Sequence, residues 1–193
     1  AYTDCMNPTE NPQPHIARKT IGVDFDDVVY NLSDDLREFM NQRFGTSHTR
    51  AVQDEYHMGF LWGITREEEE ALVNEFCTTD LHHAGSAVDG AIEGVKALAQ
   101  HHDLVIVTAR GDDRAEVTHK WIDKNLPGIF SDIVFTNPHH ELVEKRKKKS
   151  HVCADLRIDY FVDDHYKNIL DVCPCVKKAF LLDAPWNSIE SIK

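Results

Sequence analysis

The feature that most limits this chain is the spacing of its short apolar runs. Four of them, at 104–108, 133–135, 160–162 and 179–182, alternate with segments of helical character at 113–124, 141–156 and 166–172. Strand alternating with helix calls for parallel βαβ units, with helices on both faces of one sheet. A fifth run, Thr20-Ile21-Gly22-Val23-Asp24-Phe25, stands about eighty residues ahead of the others and has the continuous apolar character of a buried parallel strand.

That gap is too long for a simple crossover, and it is helical in pattern. Leu32, Leu36, Phe39, Met40 and Phe44 form one apolar stripe at helical spacing. Thr65-Arg66-Glu67-Glu68 is a capping box opening a helix with Leu72, Val73 and Phe76 inside. A further helix is expected from Ser86-Ala87-Val88-Asp89, with Ala91, Ile92, Val95 and Leu98 facing inward. The sequence therefore predicts an α/β fold: a doubly wound parallel sheet with a helical insert after its first strand. Its expected parts are a loose arm (1–18), a core (19–30 and 103–183), the insert (31–102) and a tail (184–193).

Charge narrows the function classes. Asp and Glu outnumber Lys and Arg by 33 to 21, for a formal charge of −12. Such a surface repels phosphate backbones and anionic lipid, which speaks against a nucleic-acid polymer or a membrane as partner. No apolar run reaches the roughly 20 residues of a bilayer-spanning helix, and residues 1–20 hold no apolar signal core. The five scattered cysteines, Cys5, Cys77, Cys153, Cys173 and Cys175, favour reduced thiols and a cytoplasmic setting. Cys173-Pro174-Cys175 lacks the two-residue spacer of a zinc knuckle, and the His pairs at 82–83, 101–102 and 139–140 read as surface or loop histidines in preference to a structural zinc site.

Ligands of open α/β sheets sit at the carboxyl ends of the strands. Here the first strand ends in Asp24-Phe25-Asp26-Asp27, the second in Thr108-Ala109-Arg110 and the fourth in Asp163-Asp164, with a basic run, 145–149, ahead of that fourth strand. Carboxylates converging from two strand ends repel one another unless a hard cation joins them. Oxygen-only ligands suit Mg²⁺, which completes its shell with waters and a substrate phosphate. A hydroxyl and an ammonium beside it suit the remaining phosphate oxygens. This is a phosphoryl-transfer arrangement. An EF-hand fails, since that loop needs an oxygen ligand at Val28 and Gly at Val29.

In these four motifs the chain resembles the haloacid dehalogenase superfamily, in its phosphatase branch, over residues 20–183. The matching residues are the strand with Asp24-x-Asp26, the strand ending in Thr108, Lys149 opening Lys149-Ser150-His151-Val152-Cys153, and the pair Asp163-Asp164. The resemblance implies a Rossmann-like core with a cap formed by the insert. It implies Asp24 as nucleophile, forming an aspartyl-phosphate, and Asp26 as acid and then base. It assigns Thr108 and Lys149, with Lys148 as the alternative lysine, to phosphoryl oxygens. It implies Mg²⁺ held by Asp24, the Asp26 carbonyl and one or both of Asp163 and Asp164. An acid at position 26 marks phosphate chemistry rather than dehalogenation. Asp27 stands where many members carry Gly, although Asp is a common variant.

Among relatives, the small helical cap looks most like that of the 5′(3′)-deoxyribonucleotidase group, which implies a nucleoside monophosphate as substrate. The alternatives are another small phosphorylated metabolite, a phosphosugar mutase, or a binding protein on an idle fold; the intact acid–Thr–Lys set argues against idleness. Oligomeric state stays open, a homodimer included. Phe25, Tyr30, Ala109 and Arg110 are expected within reach of substrate, although Arg110 has a surface alternative in Asp112 or Asp113. Tyr56, Phe60 and Trp62 form either a stacking floor for a nucleobase or the cap's own small core.

Overall fold

The computed structural model describes residues 17–188. Five strands form one parallel sheet: β1 (Thr20–Val23), β2 (Asp103–Thr108), β3 (Phe130–Phe135), β4 (Tyr160–Asp163) and β5 (Lys178–Leu181), in the order β3-β2-β1-β4-β5. Alternate residues separate onto two faces, as a pleated strand requires. Ile21, Val23, Leu104 and Ile106 meet helices α4 (Ala91–Ala99) and α5 (Ala115–Asn125) through Val95, Trp121 and Ile122. Val105, Val107 and Phe161 meet α6 (Lys149–Asp155) and α7 (Tyr166–Val172) through Val152, Cys153 and Val172. The sheet is thus doubly wound. Gly22 is fixed by this packing, because a Cβ there would lie 2.5 Å from the Phe161 ring.

The chain leaves β1, returns on one side of it through β2 and β3, then crosses to β4 on the other. The carboxyl ends of β1 and β4 therefore flank a topological switch point, where a crevice opens. Above it stand α1 (Leu32–Phe44), α2 (Arg66–Phe76) and α3 (Asp80–Ala84), with 3₁₀ turns at Arg50–Val52 and Met58–Trp62. These helices share a separate small core of Leu36, Met40, Met58 and Phe76, joined by Phe39, Trp62, Leu72 and Val73. The Thr65–Glu68 capping box is present at the start of α2. Asp27 caps α1 from outside the helix: Oδ1 accepts from Ser33 N at 2.8 Å and Oδ2 from Ser33 Oγ at 2.6 Å.

Three expectations need correction, and a fourth lies mostly outside the described residues. First, the helix expected at 141–156 begins only at Lys149; ahead of it lies a 3₁₀ turn, Val143–Lys145. Leu142 and Val143 are exposed, so no packed face holds a longer helix, and Lys147 N bonds to Thr136 O instead. Second, α4 starts at Ala91 behind the left-handed Gly90, not at Ser86. It also packs on the sheet rather than with the cap helices, so the roof ends near Ala84. Third, residues 184–187 of the expected tail form a 3₁₀ turn that buries Trp186 and Asn187. Last, the expected arm lies outside the described residues up to 16. Beyond that point, Arg18 bonds to Asp103 and to the carbonyls of Ala99, Gln100 and His102.

Candidate active site

The parallel ladder fixes the floor of the crevice. Asp24 N donates to Val162 O at 2.9 Å, which sets Asp24 beside the end of β4, where Asp163 and Asp164 follow. One carboxylate oxygen from each of Asp24, Asp163 and Asp164 lies within 4.8 Å of the others. All three side chains are buried. Lys149, at the first turn of α6, joins them with Nζ 2.8 Å from Asp24 Oδ1 and 2.7 Å from Asp163 Oδ2. The sequence-predicted nucleophile, lysine and acidic pair thus meet at one point.

Electrostatics mark this point as incomplete by itself. Burial, and then the charges of Asp24, Asp27 and Asp163, push the Asp164 carboxyl up to about 9. Burial likewise raises Asp24 to about 7, against the pull of Lys149. Burial opposes the Lys149 ammonium, but Asp24 and Asp163 outweigh it and hold it charged. Three buried carboxylates share one ammonium, a surplus of negative charge that a divalent cation would offset.

Hydrogen bonds sort the oxygens. Asp163 is occupied by Lys149, by His165 N and by Asn168 Nδ2, which reaches both of its oxygens at 3.1 Å. Trp186 Nε1 donates to Asp164 Oδ2 at 2.8 Å, and Asn187 Nδ2 donates to the Asp164 carbonyl at 2.6 Å. Asp24 Oδ1 accepts from Phe25 N as well as Lys149. Among the described residues, Asp24 Oδ2 and Asp164 Oδ1 accept nothing from the protein.

Thr108 is fully buried, level with the first residues past β1, and its Oγ1 accepts from Arg110 N at 3.1 Å. Ala109 beside it is exposed. Asp26 follows in a tight turn closed by Tyr30 N to Phe25 O. Asp27 occupies the left-handed region with φ 58°, a conformation that favours glycine. Its carboxyl is raised to about 6, by burial first and against its Ser33 bonds.

Phe25 and Tyr30 are not on the crevice surface. Both are buried, with rings stacked at 5.5 Å and Trp121 edge-on to each. Arg110 has not paired with Asp112 or Asp113 at the surface either: it is buried and bound to Asp26. Asp112 is engaged by Asn137 instead.

The cap aromatics divide. Trp62 belongs to the cap, donating to Thr46 Oγ1 and packing on Phe44 and His48. Tyr56 crosses to the core, its ring 4.3 Å from that of His165. The residue as a whole is 43% exposed, yet its phenol is pushed well above its ordinary value. Burial is the chief cause, followed by the charges of Asp164, Asp24, Asp27 and Asp26. Arg50 adds a second bridge, 4.7 Å over the Trp186 ring.

Residues 18–189 match the sequence model of a family described as 5′ nucleotidase, deoxy (pyrimidine), cytosolic type C protein. The chain belongs to this family. It is a phosphatase of the haloacid dehalogenase superfamily. It is 27% identical to the putative nucleotidase BH1399 of Halalkalibacterium halodurans, over 89% of this chain and 83% of that one. A nucleotidase of Clostridium acetobutylicum, CA_C3379, is 22% identical over 78% of this chain and 73% of its own. Among solved structures, the haloacid dehalogenase-like hydrolase SP0104 of Streptococcus pneumoniae superposes with a TM-score of 0.63. That match has 10% identity and covers 91% of this chain and 90% of that one. The HAD-hydrolase YfnB of Bacillus subtilis, solved with bound magnesium, gives a TM-score of 0.57 at 16% identity over 84% and 88%. These structural likenesses bear on the fold.

Trp186, Asn187, Asn168 and Tyr56 complete the site's surroundings. Of these only the first two carried no usable signal in the sequence. They lie outside any periodic pattern, and what places them is a contact with Asp164 some twenty residues earlier.

Proposed function

We propose that the chain hydrolyses nucleoside monophosphates by a two-step phosphoryl transfer through Asp24, with Mg²⁺ bound among Asp24, Asp164 and the Asp26 carbonyl. One observation carries this reading: a buried Asp24–Lys149–Asp163–Asp164 cluster at the switch point, roofed by a cap whose Tyr56 packs on His165, the residue after Asp164. The donor set is all oxygen, which fits a hard cation. Asp164 is favoured over Asp163 as direct ligand, because Asp163 already serves Lys149 and Asn168. The cation would lower the cost of the developing negative charge on the phosphoryl group.

An oxygen of the Asp24 carboxylate attacks phosphorus, and the bond from phosphorus to the ester oxygen breaks. The departing nucleoside oxygen takes a proton from the Asp26 carboxyl. A water then attacks the phosphorus of the aspartyl-phosphate and passes a proton to the Asp26 carboxylate. The bond from phosphorus to Asp24 breaks, releasing inorganic phosphate and restoring both acids. Lys149 and Thr108 hold phosphoryl oxygens throughout. The cap excludes water and selects what the phosphate is attached to. The same reading places the enzyme in the cytoplasm.

The test is release of inorganic phosphate from a panel of nucleoside monophosphates and other phosphorylated metabolites, with wild type and Asp24→Asn. Nucleotide hydrolysis that falls by at least about a thousandfold in the folded variant is expected, since an amide cannot form the phospho-enzyme. Turnover within about tenfold of wild type would sink the nucleophile assignment.

A further inference from the structure

We propose that Arg110 is the positioning residue for Asp26. This rests on the reading of Asp26 as acid and base given above. Arg110 Nη2 lies 2.7 Å from Asp26 Oδ1, and Nε lies 3.1 Å from Oδ1 and 3.0 Å from Oδ2. Nη1 donates to Thr118 Oγ1 at 2.9 Å, and that hydroxyl donates in turn to Arg114 O at 2.8 Å. The guanidinium carbon sits 4.6 Å from the centre of the Phe25 ring and 4.8 Å from that of Tyr30. Only 3% of the Arg110 side chain is exposed, against 18% of Asp26.

Each contact removes one freedom. The stacked Phe25 and Tyr30 rings set the plane of the guanidinium. Tyr30 is anchored by its hydroxyl donating to His82 O at 2.9 Å, and Gly85 leaves that hydroxyl its space. Thr118 sets the rotation within the plane. The fork then grips both oxygens of Asp26, which fixes the tilt of its carboxyl. Oδ1 receives two N–H groups and Oδ2 one, so Oδ2 keeps the lone pair free to exchange a proton with the leaving oxygen or the water. A lysine would keep the charge but lose the fork. The rings expected to touch substrate thus act at one remove, as the platform of this clamp.

Proton transfer matters unequally for different esters, and this gives the test. A nucleoside oxygen needs a proton to leave, whereas 4-nitrophenolate leaves without one. Rapid mixing with excess substrate reads formation of the phospho-enzyme as a burst of leaving group, for Arg110→Lys and Asp26→Asn beside wild type. Arg110→Lys is expected to slow the burst on a nucleoside 5′-monophosphate by roughly a hundredfold, the low end of acid–base catalysis. Its burst on 4-nitrophenyl phosphate is expected to stay within about threefold of wild type, with KM for both esters changed little. Added guanidinium ion should restore part of the nucleotide burst in Arg110→Ala. Equal slowing on both esters, or no slowing on the nucleotide, would overturn the positioning role. If Asp26→Asn shows the leaving-group split and Arg110→Lys does not, only the present inference fails. If Asp26→Asn shows no split, the acid–base reading itself fails. Thr118→Val, which removes one anchor and no charge, should show the same split at about a few fold; it decides the matter should the Arg110 variants not fold.

Discussion

The floor of the crevice and its roof are built on opposite terms. The floor consists of charged side chains that are buried and individually partnered: Lys149 with Asp24 and Asp163, Asp163 with Asn168, Asp164 with Trp186 and Arg110 with Asp26. Their positions are set by a hydrogen-bonded ladder of five parallel strands. The roof consists of amphipathic helices around a small aromatic core. It meets the floor through Tyr56 on His165, Arg50 over Trp186, Arg114 bonded to Asn74, Asp27 bonded to Ser33, and His82 against Tyr30. Buried, paired charges resist displacement because losing one partner strands the other. A roof with its own core can vary in sequence without disturbing the chemistry below. The difference assigns reaction type to the floor and substrate choice to the roof.

The largest break in this comparison comes from removing the cation proposed for the floor. Excess chelator should abolish turnover. Adding Mg²⁺ back at about 100 times its dissociation constant should stabilise the fold by about 2.7 kcal/mol, because it binds the folded state only. Thermal melts with and without Mg²⁺ measure this. Asp164→Asn should remove most of the gain, since Asp164 offers the cation an unoccupied oxygen. An unchanged melting temperature together with full activity in chelator would contradict a metal-centred floor.

The two regions also differed in how far the sequence disclosed them. Parallel strands read as short apolar runs even at an exposed edge such as β5, so all five are visible in the sequence, and Asp24, Thr108 and Asp163 follow as the residues at their ends. Lys149 was found through the family motif, while the helix around it was drawn too long. The pattern across Leu142 and Val143 mimics a buried face, but both are exposed. The Arg110–Asp26 pair joins residues 84 apart in sequence, and local reading supplied Arg110 with the nearer acids, Asp112 and Asp113. Trp186 and Asn187 fall in the expected tail for the same reason, although both are buried. In the roof, helical periodicity located α1 and α2, yet could not say which aromatics face the crevice. That depends on how the turns at 50–62 lie over the strand ends.

A smaller effect sharpens the division within the roof. Trp62→Ala should destabilise the fold by up to roughly 3 kcal/mol, at the low end for an aromatic truncation because the ring is half-buried. Every substrate should suffer alike. Tyr56→Ala should leave the melting temperature nearly unchanged, since its ring already meets solvent. Its specificity constant for a nucleoside monophosphate should fall by an amount equivalent to about 1–3 kcal/mol, the range for base stacking. Hydrolysis of a small aryl phosphate should change less. Parallel losses for Tyr56→Ala on both esters would return Tyr56 to the cap core and leave the nucleotide preference without a source.

The smallest effect lies at the seam between the regions, at His82. This roof residue is buried against Tyr30 of the floor, and the Tyr30 hydroxyl lies 3.1 Å from its Nδ1. Burial, helped by the charge of Arg110, lowers its pKa to about 4. A base with a depressed folded-state value contributes stability that is complete above its ordinary 6.5 and is lost as pH falls towards 4. Asp24, Asp27 and Asp164 work in the opposite sense. Their carboxyls are raised to about 7, 6 and 9, so each favours the folded state more as pH falls through its value. The wild-type melting curve against pH sums both trends. The difference between wild type and His82→Gln isolates one of them, because glutamine does not titrate. That difference should be flat above pH 6.5 and should shift by a few degrees between pH 6.5 and 4, against the wild type. A flat difference across the whole range would mean that the seam opens before His82 takes up its proton. Roof and floor would then be less firmly joined at Tyr30 than at Tyr56 and Arg50.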